Sequence, residues 1–595
     1  MAENGLSDIK LPDPAEFARN MVKIAGHSQQ LVLDFLARQS RQPGDPDPLN
    51  IGGAFLEMTA RMLTSPAKLI EAQLDLLRAY AELWHNATAR FVGTATDPVV
   101  KPEKGDRRFR DAAWDEIQVF DFIKQSYLLT ARWMQKTVQS VEGLDEATAK
   151  KVDFYTRQFV DAMAPSNFVL TNPEVLKATF ETNGDNLVRG LEAMLQDLDD
   201  GKGRLAIKMT DMQAFKVGIN VATAPGKVVF RNDILELIQY TPTTPKVYQR
   251  PLLIVPPWIN KFYILDLRED NSFIRWMVAK GYTVFVISWV NPDAKLAQVS
   301  FEDYMARGIV EAIDAVNAAT GERELTVIGY CIGGTLMASA LAYMAATGDD
   351  RVKACTFFAA QVDFSEAGEL RVFIDEEQLL YIEELMRERG FLDGNEMSAT
   401  FNMLRANDLI WSFVVNNYLL GKEPFPFDLL FWNADATRMP AEMHSFYLRN
   451  MYQKNLLAEP GGLVMKGVPI DLRKVTIPVY LQASREDHIA PAKSVYKATQ
   501  LYQGPVRFVL AGSGHIAGVI NPPHQGKYQH WINEAKTPPA TLEAWTAGAQ
   551  ELAGSWWDDW HRWLSKLSGP KVPARQPGDG KLKVLGDAPG TYVTM

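Results

Sequence analysis

Cysteine is scarce in this sequence of 595 residues, which contains only Cys331 and Cys355. Two cysteines cannot form a disulfide framework, and their scarcity suits a reducing compartment. The sequence also lacks an internal repeat and any Cys/His cluster with the spacing of metal ligands. Its first residues are polar and do not form the apolar region of a signal peptide. These absences argue against a secreted disulfide scaffold, a zinc domain and a repeat protein, and they favour a cytoplasmic protein.

Positive charge is also in short supply. The 62 Lys and Arg residues are outnumbered by 72 Asp and Glu, for a formal net charge of −10. This balance argues against a general nucleic-acid-binding protein, although an anionic small substrate needs only a local basic patch. Apolar residues, by contrast, make up 47% of the chain and include 14 Trp and 21 Met. A chain of this length and composition is expected to form more than one domain.

Residues 1–200 are predicted to form a mostly helical N-terminal domain. Apolar positions recur at helical spacing over residues 15–39, 55–91 and 114–195, with a Pro- and Gly-rich break at residues 42–48. One such stripe consists of Ile70, Leu74, Leu77 and Tyr80. The stripes favour a domain that buries its own helix faces, and the alternative is docking of a partner or a surface.

Residues 201–595 are predicted to form an α/β domain, because short apolar runs alternate with helical stretches such as 273–280 and 301–319. This alternation is typical of a mostly parallel sheet wrapped by helices, with the chemistry at the carboxyl ends of the strands. The predicted strands are residues 228–231, 252–255, 283–288, 325–328, 354–358, 479–482 and 506–510.

One interval, residues 361–475, breaks this rhythm. It contains many large apolar side chains and no convincing strand, and it is far longer than an ordinary loop. We predict that it forms an inserted cap over the active site, with a dimerisation surface as the alternative.

The most informative stretch is residues 325–334, which read Leu-Thr-Val-Ile-Gly-Tyr-Cys-Ile-Gly-Gly. A β-branched run leads into Gly-x-Cys-x-Gly, and a helical segment rich in Ala, Met and Leu follows. This is the layout of a nucleophile elbow with Cys331 in place of the usual Ser, at a helix N-terminus that favours a thiolate. The alternatives are a buried small hydrophobe, which we adopt for Cys355, and a membrane span over residues 325–348, which the glycines argue against.

A thiol nucleophile needs a base, and the base needs an orienting acid; in sheet hydrolases the acid precedes the His. His515 lies in a small-residue loop directly after a predicted strand. Asp487 follows the preceding strand and is the best candidate acid, with Glu486 as the alternative. A lone Asp there is often only a helix cap or turn former, but Cys331, Asp487 and His515 all follow strands in the expected order. The remaining candidates are interpreted as surface or packing residues: His524, His530 and His561.

The oxyanion hole is predicted to use the backbone N–H of Ile332 and one donor from the loop after strand 252–255. That loop begins with two prolines, which have no N–H. Trp258 or Ile259 is therefore expected to supply the second donor.

Six segments resemble the class I polyhydroxyalkanoate synthases, and the resemblance runs close to end to end. They read Ala-Met-Ala-Pro-Ser-Asn-Phe from Ala162, Pro-Pro-Trp-Ile-Asn-Lys-Phe-Tyr-Ile-Leu-Asp-Leu from Pro256, Gly-Tyr-Cys-Ile-Gly-Gly from Gly329, Phe-Asp-Leu-Leu-Phe-Trp-Asn from Phe427, Gly-Ser-Gly-His-Ile-Ala-Gly from Gly512 and Gly-Ser-Trp-Trp from Gly554. Together these segments are highly specific, whereas Gly-x-Cys-x-Gly alone is a weak signal.

The resemblance implies an α/β-hydrolase fold with Cys331, Asp487 and His515 as catalytic residues. It implies an acyltransferase that polymerises (R)-3-hydroxyacyl-CoA, with short units such as 3-hydroxybutyryl-CoA, into polyhydroxyalkanoate through an acyl-cysteine, with release of CoA and no metal or cofactor. It further implies a homodimer on cytoplasmic polyester granules. Together with the charge balance and the glycines discussed above, we expect no nucleic-acid partner and no transmembrane segment. Arg387 and Arg389 of the predicted cap are candidates for binding CoA or, equally, for a solvated face.

Two other interpretations share these residues. A thiol hydrolase, such as a dienelactone-hydrolase-like enzyme or an esterase, would use the same triad, but the large cap and the helical domain argue against so compact an enzyme. A non-catalytic scaffold would coat granules through helical and Trp-rich surfaces, with residues 556–560 as an interface or an amphipathic core helix. An intact triad argues against the scaffold.

Overall fold

The computed structural model of the chain describes residues 13–24, 51–64 and 66–595. Residues 14–24 are helical, in agreement with the prediction over residues 15–39. The rest of that predicted helix and the predicted break at residues 42–48 lie outside the described residues.

The chain divides into two compact units. The first comprises the described residues up to Asp211 together with Thr400–Phe425, and the second comprises Met212–Ala399 and Pro426–Met595. Residues 400–425 therefore belong with the helical unit, although the predicted cap at residues 361–475 includes them. A cap function for the rest of that interval stays a prediction.

The first unit is helical, and its helices begin at residues that suit helix starts. The Asp145 side chain accepts the backbone N–H of Ala147 and of Thr148 at 3.0 Å each, and Pro173 occupies the first turn of its helix. The helices are residues 14–24, Ile51–Leu63, Pro66–Phe91, Ala113–Glu116, Gln118–Gln139, Glu146–Ala162, Pro173–Glu181 and Asp185–Asp200, with π-helical turns at Asn407–Trp411 and Val414–Leu419.

Helix Pro66–Phe91 has two different apolar faces. One packs on Gln118–Gln139 and includes Leu83, which is 2% exposed. The other includes Ile70, Leu74 and Leu77, which are 47–60% exposed. Tyr80, the fourth residue of the predicted stripe, is partly buried, and its hydroxyl donates to the carbonyl of Ser126 at 3.1 Å. The expectation that the helices bury their apolar stripes within the domain is thus met by the first face, and for the second face it stays a prediction.

The second unit is built on an eleven-stranded sheet. Its strands are β1 (Gly226–Arg231), β2 (Leu235–Tyr240), β3 (Leu252–Val255), β4 (Val284–Trp289), β5 (Leu325–Tyr330), β6 (Val352–Phe358), β7 (Val479–Ser484), β8 (Val506–Ala511), β9 (Gln529–Ile532), β10 (Gln550–Ala553) and β11 (Gly586–Asp587). Their order in the sheet is β10-β9-β8-β7-β6-β5-β3-β4-β2-β1-β11. The six strands from β8 to β4 in this order are parallel, and the outer strands are antiparallel.

All seven predicted strands are present, and each end lies within two residues of its predicted position. Every residue of β3, β4, β5 and β7 is buried, as expected for parallel strands that helices cover on both faces. β2 was not predicted, because its apolar run is interrupted by Glu236 and Gln239. Both are fully buried, and the Glu236 carboxylate accepts the N–H groups of Thr591 and Tyr592 at 2.8 and 3.0 Å.

Helices connect and cover these strands. The two predicted helices are present, and the second contains a π-helical segment, Tyr304–Val310. Residues 325–348 form β5 and a helix, and no described helix combines the length and hydropathy needed to cross a membrane. The α-helices are Phe273–Ala279, Phe301–Asp303, Glu311–Thr320, Ile332–Thr347, Glu376–Arg389, Gly394–Leu404, Asp428–Ala434, Ala441–Tyr447, Ala492–Leu501, Leu542–Ala547 and Trp557–Ser565.

Candidate active site

Cys331 lies in a tight turn between β5 and the helix Ile332–Thr347, called the elbow helix below. Its φ of 52° and ψ of −126° are unfavourable for a residue with a side chain, as at many functional sites. Its N–H donates to the carbonyl of Phe358 at 2.9 Å, which ties the turn to the end of β6. Cys331 is partly exposed, whereas Cys355 is fully buried, and this burial raises the pKa of the Cys355 thiol. Cys331 is therefore the thiol that a substrate can reach.

The glycines beside Cys331 have no room for a side chain. A Cβ on Gly333 would lie 2.5 Å from the carbonyl oxygen of Pro256, and a Cβ on Gly329 would lie 2.6 Å from the Cα of Gly334. The turn between strand and helix is closed by these contacts. They also place the start of the elbow helix directly against the loop that follows β3.

His515 and Asp487 follow β8 and β7, and their side chains form a hydrogen bond. The distance from Nδ1 of His515 to Oδ2 of Asp487 is 2.7 Å. The Asp487 side chain is fully buried and that of His515 is 10% exposed. Oδ1 of Asp487 accepts the N–H groups of Ile489 and Ala490, both at 2.8 Å. Both carboxylate oxygens thus have partners, and the pairing leaves Nε2 of His515 for the thiol.

The electrostatics of this cluster suit proton transfer. Burial acts to lower the pKa of His515, but the negative charges of Asp487 and Cys331 and hydrogen bonds to both outweigh it and raise that pKa well above its usual value. An imidazole with a raised pKa takes the proton of an adjacent thiol more readily. Glu486, the alternative acid, is exposed, and the carboxylate that His515 meets is that of Asp487.

The predicted oxyanion donors belong to the start of the elbow helix and to the loop after β3. Ile332 is the first residue of the elbow helix, so its N–H has no acceptor within that helix. In the loop after β3, the carbonyls of Trp258 and Ile259 accept the hydroxyl and the N–H of Thr437, the second at 3.5 Å. These bonds hold the loop in place, and the choice between Trp258 and Ile259 as donor stays a prediction.

Two tyrosines of the predicted cap interval lie within electrostatic range of Cys331, and sequence reasoning did not identify them. The rings of Tyr447 and Tyr452 lie 5.6 Å apart and pack edge-on against Phe364, at 6.0 and 4.8 Å. Burial raises the pKa of both tyrosines, and the negative charge of Cys331 raises it further. The signal was hidden because Tyr452 lies in the π-helical segment Leu448–Gln453, which has no 3.6-residue period.

Other candidates from the sequence lie elsewhere. His530 bonds the carbonyl of Gly554 in the edge strands, and His561 bonds the hydroxyl of Tyr282, both at 3.0 Å. His524 lies in the turn Pro523–Gln525. Arg387 and Arg389 pair with Glu384 and Glu396, which favours the solvated-face interpretation. Three tryptophans of residues 556–560 are fully buried, so this stretch is a core helix and not an interface: Trp556, Trp557 and Trp560.

Two family models match consecutive parts of the chain. A family model described as the poly-beta-hydroxybutyrate polymerase (PhaC) N-terminus matches residues 105–277, and one described as the alpha/beta hydrolase fold matches residues 258–522. The poly(3-hydroxyalkanoate) polymerase of Methylorubrum extorquens is 54% identical over 90% of this chain and 88% of its own length. The PhaC polymerase subunits of Rhizobium meliloti and Cupriavidus necator are 45% and 42% identical over 98% and 90% of this chain, and over 95% and 90% of their own lengths. The predicted α/β-hydrolase fold is confirmed.

Proposed function

Because the chain belongs to the poly(3-hydroxyalkanoate) polymerase family, we propose that it polymerises (R)-3-hydroxyacyl-CoA into polyhydroxyalkanoate with release of CoA. One observation carries the proposal beyond family membership: the thiol of Cys331 sits in a strained elbow beside a hydrogen-bonded His515–Asp487 pair. The class I resemblance favours short acyl units such as 3-hydroxybutyryl-CoA. It also favours a homodimer that associates with polyester granules in the cytoplasm.

Chain growth begins with acyl transfer to Cys331. The thiol proton passes to Nε2 of His515, and the sulfur attacks the carbonyl carbon of the CoA thioester. The N–H of Ile332, with that of Trp258 or Ile259, stabilises the oxyanion. The bond from the carbonyl carbon to the CoA sulfur then breaks, and CoA leaves with the proton from His515. One thioester has replaced another, so the acyl group stays activated, which a serine nucleophile would not achieve.

Chain extension transfers the acyl group from sulfur to oxygen. The 3-hydroxyl of an acyl unit gives its proton to His515 and attacks the acyl-cysteine. A carbon–oxygen bond forms, the carbon–sulfur bond breaks, and the Cys331 thiolate is regenerated. This step is downhill, because an oxoester is more stable than a thioester. Both oxygens of Asp487 already accept hydrogen bonds, which supports a role for Asp487 through His515 and not directly on the hydroxyl.

A thiol hydrolase would differ only in using water in this second step. The aromatic group of Phe364, Tyr447 and Tyr452 is buried, and its two tyrosines lie within electrostatic range of Cys331. This supports exclusion of water and hence polymerisation.

Incubation of the purified protein with 3-hydroxybutyryl-CoA tests the proposal. We expect free CoA and insoluble polyester from the wild type, and neither from Cys331→Ala, while Cys331→Ser loses most of its rate. Cys355→Ala is the matched control, because it removes the other thiol, and it should keep activity. Free hydroxy acid without polymer would indicate the hydrolase, and full synthesis by Cys331→Ala would exclude the acyl-cysteine.

A further inference from the structure

Two tryptophans from outside the site bind the loop that carries His515. The indole N–H of Trp556 donates to the carbonyl of Gly518 at 2.8 Å, and that of Trp557 donates to the carbonyl of Val519 at 2.9 Å. Both tryptophans are fully buried. The two acceptors are adjacent residues shortly after His515, so both bonds act on the same short loop.

The other side of this loop rests on the strand end that carries Asp487. A Cβ on Gly518 would lie 2.7 Å from the Cβ of Ser484, so only glycine allows this close approach. The N–H of Glu486 donates to the carbonyl of Ser513 at 3.0 Å. The loop is therefore held between the end of β7 and the two indoles.

Trp556 also contacts a residue that supports the nucleophile. Its ring lies 5.0 Å from the ring of Phe358, whose carbonyl accepts the N–H of Cys331 at 2.9 Å. One rigid side chain thus contacts the supports of both the base and the nucleophile. Trp557 packs instead on Phe273 and Trp276, at 4.7 and 5.3 Å.

We propose that Trp556 and Trp557 are positioning residues that hold His515 at the distance from Cys331 that proton transfer requires. The proposal rests on the roles given above to Cys331 and His515. A buried indole N–H is costly without an acceptor, so each bond restrains the carbonyl that it meets. Proton transfer needs donor and acceptor atoms within hydrogen-bond reach, which is about 2.6–3.2 Å between N and O atoms and longer where one atom is sulfur. A small shift of this loop therefore has a large effect on rate.

The chain offers a matched control on the same helix. Trp560 is also fully buried, and its indole N–H donates at 2.9 Å to the hydroxyl of Thr356, in β6, and not to the His515 loop. Phenylalanine at each of the three positions removes one indole N–H and keeps an aromatic ring. All three variants are expected to lose similar thermal stability. Since a misplacement of about 1 Å can cost ~100-fold, we expect kcat to fall tenfold or more in Trp556→Phe and Trp557→Phe, with KM little changed, and to stay near wild type in Trp560→Phe.

A second readout does not depend on turnover. In a Cys355→Ala background, the rate of alkylation of Cys331 by iodoacetamide is measured against pH, because only the thiolate reacts. The pH at which the alkylation rate increases should be higher in Trp556→Phe and Trp557→Phe than with all three tryptophans intact. In Trp560→Phe this pH should be unchanged.

The outcomes separate this proposal from the proposed function. If Cys331→Ala keeps synthesis, the proposed function fails, whatever the tryptophan variants do. If Cys331→Ala is inactive but the tryptophan variants keep both kcat and the alkylation profile, only the positioning role is overturned. An equal loss of kcat in Trp560→Phe overturns it too, and so does failure of both Trp556→Phe and Trp557→Phe to fold. If only Trp556→Phe fails to fold, Trp557→Phe decides the question.

Discussion

Replacing Asp487 by Asn keeps a hydrogen-bonding side chain beside His515 but removes the carboxylate that fixes which ring nitrogen carries the proton. The carboxylate uses one oxygen for the N–H groups of Ile489 and Ala490 and the other for Nδ1 of His515. An amide has a single oxygen, so its NH2 group must face either two backbone donors or the imidazole. If the amide NH2 faces the imidazole, Nδ1 must act as acceptor, and the ring proton of His515 then sits on Nε2. Nε2 is in that case unable to take the thiol proton of Cys331.

The loss of charge acts in the same direction. The charge of Asp487 raises the pKa of His515 against the effect of burial, so its removal lowers that pKa. We expect kcat to fall by about 10⁴-fold, the effect of the corresponding change in serine proteases, or about 5 kcal/mol of transition-state stabilisation. Alkylation of Cys331 should also start at a higher pH, because a less basic imidazole gives up its proton and no longer stabilises the thiolate.

The assay measures CoA release from 3-hydroxybutyryl-CoA and alkylation by iodoacetamide against pH. Glu486→Gln is the matched control, because it changes the adjacent, exposed carboxylate in the same way. It should keep the wild-type rate and profile. The reasoning is refuted if Asp487→Asn keeps more than a tenth of the wild-type kcat, or if Glu486→Gln loses as much.

Three further changes test other parts of the site. Gly333→Ala places a Cβ 2.5 Å from a backbone carbonyl oxygen, so the free energy of unfolding should fall by about 1–3 kcal/mol in thermal unfolding, and kcat should also fall. A Cβ on Gly586 would meet nothing within 4 Å, so Gly586→Ala should change neither quantity. Tyr447→Ala opens the buried group of Phe364, Tyr447 and Tyr452 and should raise the share of free hydroxy acid among the products, which chromatography measures. Tyr447→Phe should not raise it, and an unchanged share in both variants would argue against water exclusion. Mass spectrometry after brief iodoacetamide treatment of the native protein should find Cys331 alkylated and Cys355 unmodified, because Cys355 is fully buried and its thiol pKa is raised; equal labelling would contradict this assignment.

Sequence patterns predicted the centre of the sheet better than its edges for a physical reason. Strands covered on both faces need continuous β-branched and aliphatic runs, and such runs are visible in the sequence. β2 escaped prediction because the buried Glu236 is satisfied by N–H groups of Thr591 and Tyr592, more than 350 residues away. No local pattern can contain that partner.

The candidate site was likewise predictable where local patterns carry the information and not where distant residues do. The order Cys331, Asp487, His515 follows from strand order and was open to sequence reasoning. The burial of Trp556 and Trp557 was not, since an amphipathic helix rich in Trp fits an interface as well as a core. Their acceptors, Gly518 and Val519, lie 38 residues earlier, and only the folded chain brings them together.

The sheet explains why residue order was informative while sequence spacing was not. β5, β6, β7 and β8 are consecutive parallel neighbours, and Cys331, Asp487 and His515 follow the first, third and fourth of them. Adjacent strands lie about 4.8 Å apart, so the sheet places the three residues within reach of one another. The long interval between β6 and β7 does not alter this, because the two strands still pair directly, with Cys355 opposite Val479. Strand pairing therefore sets the approximate distances, and the hydrogen bonds of the loops after β7 and β8 must set the remaining fraction of an ångström.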